Sequence, residues 1–136
     1  MHRRVPTSFF QKLKNRLMWW PTKRAYLSAT AITDDDIARF ISDVKKNNIK
    51  WLVGYCASIE FVADYILRNN IKIEGIQLIW STSSPLTKIV RQKIEKAFNC
   101  NVMDQYGCCE MGNIAIQKPN EDCLTINSDY VHVDIV

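Results

Sequence analysis

Five consecutive residues in the second half of the chain combine side chains that could bind a small molecule: Tyr106, Gly107, Cys108, Cys109 and Glu110. An aromatic ring can stack on a planar base, and a glycine lets the backbone approach a ligand closely. A carboxylate such as that of Glu110 can hold a hard cation, for example Mg²⁺. The residue types therefore predict a ligand site here, and the alternative is a structural turn around a buried tyrosine.

The cysteines suggest two other kinds of site, which their spacing does not favour. A structural zinc site needs C-x₂₋₄-C pairs, and the four cysteines after residue 99 are not arranged in that way. The adjacent Cys108 and Cys109 also lack the C-x-x-C arrangement of a redox motif. His2 and His132 are the only histidines, which is too few for a nucleophile–base pair or a catalytic metal site.

Three short apolar runs are predicted to be the strands that position this segment: Trp51–Gly54, Ile76–Trp80 and Asn101–Asp104. They begin at a regular interval, and helical patterns fill both gaps. Strands without polar alternation are typical of parallel sheets that crossover helices cover. The sequence therefore predicts an α/β fold with a parallel β-α-β-α-β unit.

The two crossover helices are predicted from apolar stripes. The first runs through Ile59–Leu67 with Ser58 as its N-cap, and the second through Leu86–Phe98. For the second, Ser84 is the predicted cap and Pro85 the predicted first helical residue. Ligands of open α/β sheets bind beyond the carboxyl ends of the strands. The loops that fall there are 54–58, 81–84 and 104–112.

The flanking segments are predicted as follows. A helix through Ile37–Val44 opens at Thr33, with Asp34–Asp36 in its first turn, where carboxylates meet free N–H groups rather than a metal. Phe9–Trp20 is a basic amphipathic segment expected to dock on a larger protein, with membrane-surface binding as the alternative. Short strands are expected after residue 112, at 114–116, 124–126 and 130–136. The predicted division is thus 1–33, 34–112 and 113–136.

Charge and composition exclude several classes of function. Seven of the 18 basic residues and none of the 14 acidic ones lie in residues 1–24, so the rest of the chain is mildly acidic. A nucleic-acid binder usually carries a basic stripe on its folded face, so no nucleic-acid partner is expected. No stretch resembles a signal peptide or a transmembrane segment, and the cysteines are interpreted as the free thiols of a cytoplasmic protein.

Several motifs together resemble a known family. Tyr106–Glu110 resembles the Y-G-x-T/S-E motif of AMP-forming acyl- and aryl-CoA ligases, in the branch of phenylacetate–CoA ligase and the capsular-polysaccharide biosynthesis proteins. Leu52–Ser58 is similar to their GYPSS strand and loop, and Ile79–Leu86 to their TTSE-x-L loop. Asp129–Ile135 resembles the D-Y-V-x-V-D-I segment. The ordered series covers about residues 45–136, a fragment of the large N-terminal domain of an adenylate-forming enzyme.

The resemblance implies an ATP-dependent ligase that activates a small carboxylic acid as an acyl-adenylate, with ATP and Mg²⁺ as cofactors and CoA as a candidate acceptor. Tyr106 would stack on adenine, Gly107 would bring the backbone to the nucleotide, and Glu110 would bind Mg²⁺. Cys109 holds the place of a Thr or Ser whose hydroxyl meets the α-phosphate. The adenine and acyl pocket would be flanked by the loop of Ser81, Thr82, Ser83 and Ser84.

The chain also departs from the family. Ser84 stands where the branch usually has Glu, and a Cys109 thiol is a weaker hydrogen-bond donor than a hydroxyl. The upstream phosphate-binding loop, the downstream ribose-binding Asp and the catalytic Lys of the small C-terminal domain have no counterpart here. We therefore expect a piece of such a ligase, inactive alone, whose partner is the remainder of the enzyme or a second chain. The alternative is a non-catalytic α/β binding or assembly module derived from that fold.

Overall fold

The structure is a computed structural model that describes residues 22–118 and 121–134, together with Phe10, Lys14 and Met18. The basic amphipathic segment Phe9–Trp20 lies, apart from those three residues, outside the described part. Among the described residues, no helix has the length and apolar character needed to cross a membrane. The elements, in chain order, are α1 (Asp34–Asn47), β1 (Trp51–Tyr55), α2 (Cys56–Arg68), β2 (Leu78–Thr82), α3 (Lys88–Phe98), β3 (Asn101–Cys108), β4 (Gly112–Gln117) and β5 (Leu124–Ile126).

The strands form one five-stranded sheet in the order β1-β2-β3-β4-β5. The first three strands are parallel, and α2 and α3 are the crossovers between them. Strands β4 and β5 continue the sheet in antiparallel fashion through short connections. The predicted α/β fold, with a parallel unit followed by short strands, is confirmed.

The core lies between the sheet and the helices. Successive crossovers of the same hand place α2 and α3 on one face of the sheet. The register aligns Leu52, Ile79 and Val102 across β1, β2 and β3, and Ile79 and Val102 are buried on this face. Apolar residues of the helices close the core from the other side: Ile37, Ile41, Val44, Ile59, Val62, Ala63, Ile66, Ile94, Ala97 and Phe98.

The opposite face of the parallel unit is apolar and open. Side chains alternate between the faces of a strand, and Trp51 and Val53 of β1 are 70% and 68% exposed. The register places Val53 beside Trp80 and Met103, which are half-buried. Among the described residues, this part of the sheet therefore presents large apolar side chains to solvent.

The helix starts differ from the predictions in two of three cases. Thr33 caps α1 as predicted, in a reciprocal capping box with Asp36. The N-cap of α2 is Tyr55, without a side-chain cap, so Ser58 is not the cap because it already lies inside the helix. Helix α3 begins three residues after Pro85, and the Thr87 hydroxyl accepts the N–H of Val90. The predicted Ser84 cap and the predicted helical position of Pro85 are therefore wrong.

Two strand boundaries also differ. Strand β2 begins at Leu78 rather than Ile76, because Gly75 has a φ of +90°, which bends the chain just before the strand. The predicted strand of residues 130–136 is wrong where the structure describes it. Tyr130 and Val131 both donate their N–H groups to the Asn127 carbonyl, so the chain turns there, and residues 131–134 are irregular.

Candidate functional site

The predicted ligand segment is a strand and a tight hairpin rather than a long loop. Strand β3 continues to Cys108, and Tyr106 pairs with Ala115 while Cys108 pairs with Gly112. The predicted loop over 104–112 is therefore wrong in its first half, because β3 finds a second, antiparallel neighbour after Asp104. The turn itself comprises only residues 109–111.

Gly107 is required by the hairpin itself. A Cβ added at this residue would lie 2.2 Å from the backbone oxygen of Gly112, far inside any normal contact. The register shifts between Tyr106 and Gly107, which is typical of a β-bulge. Gly112 has a φ of +72°, a conformation that favours glycine. The close backbone approach predicted at Gly107 is thus an approach to the opposite strand.

Tyr106 is exposed, which excludes the alternative of a turn built around a buried tyrosine. Its side chain is 61% accessible, although it projects from a paired strand. The residue directly across from it is Ala115, which is small and 4% exposed. The ring of Tyr106 therefore stands above its neighbour and is available to a planar ligand.

Cys109 and Glu110 lie next to each other in the exposed turn. Within the described residues, no cluster of three or more His, Cys, Asp or Glu side chains could hold a metal ion. All five cysteines are free, and Cys108, Cys109 and Cys123 are exposed. Glu110 can therefore offer a carboxylate to a cation only as a single protein ligand.

The residues 81–84 divide into a buried part and an exposed part. Ser81 is fully buried in β2 between Gly54 of β1 and Asp104 of β3, and its hydroxyl has no hydrogen-bond partner among the described residues. Thr82 ends the strand, and Ser83 follows with a φ of +82° that turns the chain away from the sheet. Ser83 and Ser84 are exposed. Only the second half of this segment is thus open to a ligand.

The carboxyl ends of the three parallel strands lie at one edge of the sheet. Tyr55 of β1 is level with Thr82 of β2, and Ser81 is level with Asp104 of β3. The Asp104 carboxylate accepts the N–H of Leu86 at 3.4 Å, which joins β3 to the chain after β2. The structure therefore brings the 81–84 segment and the Tyr106 hairpin onto neighbouring strands, as the strand order predicts.

Two residues beside the hairpin were missed by the sequence interpretation. Gln117 ends β4 and is 7% exposed, and its side-chain oxygen accepts a hydrogen bond from Arg91 at 2.6 Å. Gln117 could have been identified from the sequence because it lies on the buried side of an alternating strand, where a side-chain amide must form hydrogen bonds. Arg91, within the α3 stripe, gave no signal at all.

The chain is similar in sequence to Protein CapK of Staphylococcus aureus. The two are 33% identical over 120 residues, which is 85% of this chain and 26% of CapK. The chain thus spans about a quarter of the length of this relative. No protein-family model matches the chain.

Solved structures share the fold. A 2-hydroxyisobutyryl-CoA ligase in complex with 2-HIB-AMP and CoA matches 63% of this chain, with a TM-score of 0.54 and 16% identity, over 21% of its own length. The anthranilate CoA ligase AuaEII in complex with anthranoyl-AMP matches 66% of this chain and 18% of its own, with a TM-score of 0.54 and 14% identity. A luciferase-like enzyme from the mealworm Zophobas morio matches 68% and 21%, again at 0.54 and 14%. The chain therefore carries part of the fold of these enzymes, and the predicted resemblance to the AMP-forming acyl- and aryl-CoA ligases is confirmed at the level of the fold.

Proposed function

We propose that the chain is part of an ATP-dependent ligase that activates a small carboxylic acid. In this reaction a carboxylate oxygen attacks the α-phosphorus of ATP and pyrophosphate leaves. The sulfur of a thiol, for which CoA is the candidate, then attacks the acyl carbon of the adenylate, loses its proton and displaces AMP as the thioester forms. The observation that carries the proposal is the exposed ring of Tyr106 on β3, two residues beyond Asp104, where the pairing with β2 ends. Open α/β sheets bind nucleotides at this edge.

The proposed roles follow the positions of the side chains. Tyr106 stacks on adenine, and the exposed Cys109 meets the α-phosphate through its thiol. The segment of Ser81, Thr82, Ser83 and Ser84 flanks the adenine and acyl pocket, with the buried Ser81 supporting the segment from below. Gly107 contributes by closing the hairpin, which keeps Tyr106 and the turn at a fixed spacing.

Glu110 fits a Mg²⁺ ion that is shared with the nucleotide. Magnesium is usually held by one or two carboxylates together with substrate phosphates and water. A single exposed carboxylate in a turn matches that pattern, whereas it does not match a metal site built from protein ligands alone. We therefore propose that Glu110 holds Mg²⁺ only when ATP is present.

The open apolar face of the sheet supports the proposal that this chain is part of a larger assembly. Trp51 and Val53 are exposed on β1, and monomeric proteins rarely expose contiguous apolar patches of this kind without a use for them. We propose that the remainder of the ligase, or a second chain, covers this face. The five free thiols are compatible with the reducing cytoplasm, where we place the reaction.

Calorimetric titration with ATP and Mg²⁺ tests the nucleotide site directly. Replacing Tyr106 by Ala should weaken ATP binding about 10-fold or more, because stacking of a base on an aromatic ring contributes about 1–3 kcal/mol. Phe61 on α2 is the matched control, since its ring is also 61% exposed. Equal affinities of the Tyr106→Ala and Phe61→Ala variants would contradict the proposal.

ATP–pyrophosphate exchange separates binding from turnover. Adenylation depends on electrostatic stabilisation of phosphoryl charge and on positioning, and the 136 residues match only 21% and 18% of the two CoA ligases described above. The isolated chain should therefore bind ATP without exchanging pyrophosphate with any acid of a panel. Turnover by the isolated chain would overturn the assignment as a ligase piece, and a chain that binds no nucleotide would favour the non-catalytic module.

A further inference from the structure

Strand β3 changes its neighbour just before the proposed nucleotide hairpin. Residues 101–104 pair with β2, and pairing with β4 begins only at Gln105. Within the part of the chain that the structure describes, the side of β3 that faces away from β2 therefore has no strand neighbour along its first four residues. Backbone groups on such an edge must find other partners if they are not to lose hydrogen bonds.

Three side chains take the place of the missing strand. A guanidinium nitrogen of Arg91 donates to the carbonyl of Val102. The Val102 N–H is directed to the Glu95 carboxylate at 3.4 Å, and the Asp104 N–H donates to the side-chain oxygen of Gln117 at 3.2 Å. These side-chain hydrogen bonds thus fix the backbone of β3 as far as Asp104, the residue before Gln105.

Gln117 is the centre of this arrangement. Its side-chain oxygen accepts both the Asp104 N–H and the second guanidinium nitrogen of Arg91, the latter at 2.6 Å. Its amide nitrogen donates to the carbonyl of Glu121. Because the residue is 7% exposed, water offers little replacement for these bonds. Arg91 and Gln117 together tie α3, β3, β4 and the chain after β4.

We propose that Arg91 and Gln117 are positioning residues for the Tyr106–Glu110 hairpin. They fix β3 against α3 and the end of β4, so that the strand enters the hairpin in one register. Neither residue belongs to the proposed set of nucleotide ligands, and both act through the backbone of Val102 and Asp104. The consequence for nucleotide binding rests on the proposed function, whereas the consequence for the hairpin does not.

Glycine resonances provide a local measurement. The chain has only four glycines, and Gly107 and Gly112 lie in the hairpin while Gly54 and Gly75 lie elsewhere. Glycine-selective ¹⁵N labelling of the full chain gives a four-signal spectrum that reports on both regions. In Arg91→Met and Gln117→Met, the Gly107 and Gly112 signals should shift, and their amide exchange should accelerate by about 10-fold relative to that of Gly54.

Two further variants distinguish positioning from a general loss of stability. Lys93→Met removes another cation from α3, one that contacts Glu60 and Asp64 of α2, and should leave the hairpin glycines unchanged. Gln117→Glu keeps the acceptor for Arg91 and Asp104 but loses the N–H that donates to the Glu121 carbonyl, so its hairpin signals should shift less than those of Gln117→Met. Unchanged hairpin glycines in both Met variants would overturn the proposal. So would equal changes in Lys93→Met, or signals in Gln117→Glu that match those of Gln117→Met.

ATP titration of the same variants connects the hairpin to the proposed site. We expect Arg91→Met and Gln117→Met to bind ATP about 5-fold more weakly or worse, and Gln117→Glu to bind ATP more tightly than Gln117→Met does. If the wild-type chain binds no ATP, the proposed function fails, while the glycine spectrum still decides the positioning role. If the hairpin signals change and the ATP affinity does not, a role in positioning the nucleotide site is refuted.

Discussion

Gly107 and Gly112 lie close together at the end of the β3–β4 hairpin, where Gly107 pairs with Asn113 and Gly112 with Cys108, and the space beside Gly107 is smaller than a methyl group. The backbone oxygen of Gly112 occupies the position where a side chain of residue 107 would begin. A glycine inside a motif that resembles a nucleotide-binding sequence therefore has a purely structural requirement as well. A glycine at this position is therefore compatible with a nucleotide-binding role and with a structural role, and the structure identifies the structural one.

Replacing Gly107 by Ala should destabilise the chain by about 1–3 kcal/mol, the usual range for forcing extra atoms into a filled space. The neighbour is backbone, which cannot rotate away, so the two strands must separate. Urea unfolding measures the change. Gly54→Ala is the control, because its added Cβ would meet only the side chain of Ile59, at 3.5 Å. A Gly107→Ala variant as stable as Gly54→Ala would contradict this reading of the hairpin.

The five cysteines should fall into two reactivity classes. Burial raises the pKa of Cys100 to about 11, with a further contribution from Glu95, so its thiolate is scarce at neutral pH. Cys56 is buried, and the other three thiols are exposed. Titration with a disulfide reagent near pH 8 should show three fast thiols and all five after unfolding. Four or five fast thiols in the native chain would disagree with the structure.

The same shift in Cys100 has a consequence for stability. Because the folded chain holds the Cys100 proton more tightly than the unfolded chain, this group stabilises the fold at pH values below its ordinary pKa of 9.0. That contribution should be lost as the pH rises from about 9 to about 11. A Cys100→Ser variant should lack this part of the alkaline decline in unfolding free energy.

At the scale of elements, the start of α1 carries a reciprocal capping box, which the starts of α2 and α3 do not. The Thr33 hydroxyl accepts the Asp36 N–H at 3.2 Å, and the Asp36 carboxylate accepts the Thr33 N–H and hydroxyl. These hydrogen bonds from Thr33, followed by the charge of Arg39, hold the pKa of Asp36 below its ordinary value. The aspartates of this turn therefore serve the helix start, as the sequence predicted.

Replacing Asp36 by Asn should lower the unfolding free energy near neutral pH and have little effect in strong acid. A carboxylate whose folded pKa is lowered stabilises the fold above its unfolded pKa of about 3.8, and this is lost as the pH falls through the folded value. Urea unfolding over a pH series measures the difference. Asp35→Asn is the control, since it removes a charge from the same turn and leaves the capping bonds intact. A pH-independent difference for Asp36→Asn would contradict the capping role.

The periodicity of apolar residues predicts some of the elements and contacts of this fold but not others. The parallel β-α-β-α-β unit follows from the spacing of apolar runs, and its order puts segment 81–84 and Tyr106 on neighbouring strands. The path of β3 through Tyr106 does not follow, because it depends on a second neighbour that the sequence does not identify. The Arg91–Gln117 contact joins residues 26 positions apart on a helix and a strand, and no local pattern predicts such a pair.

At the scale of the whole molecule, the two faces of the parallel unit differ in what covers them. One face is buried under α2 and α3, and the other carries Trp51 and Val53 in the open. The match to CapK covers 26% of that protein, and the structural matches cover about a fifth of each ligase. An uncovered sheet face and a partial match are both compatible with a unit whose remaining contacts come from other polypeptide segments.

We expect the isolated chain to self-associate through the exposed sheet face that carries Trp51 and Val53. Apolar area is favourably removed from water at about 25 cal/mol per Å², and two large neighbouring side chains on a flat strand offer such area to a second copy. Replacing Trp51 by Gln and Val53 by Thr together should shift the sedimentation profile toward monomer over a concentration series. Unfolding free energy should change little, since both side chains are mostly solvated in the monomer. Phe61→Gln is the control, because it removes an equally open aromatic ring from α2 and leaves the sheet face intact. A wild-type chain that stays a monodisperse monomer at high concentration would show that this face does not need to be buried by a partner.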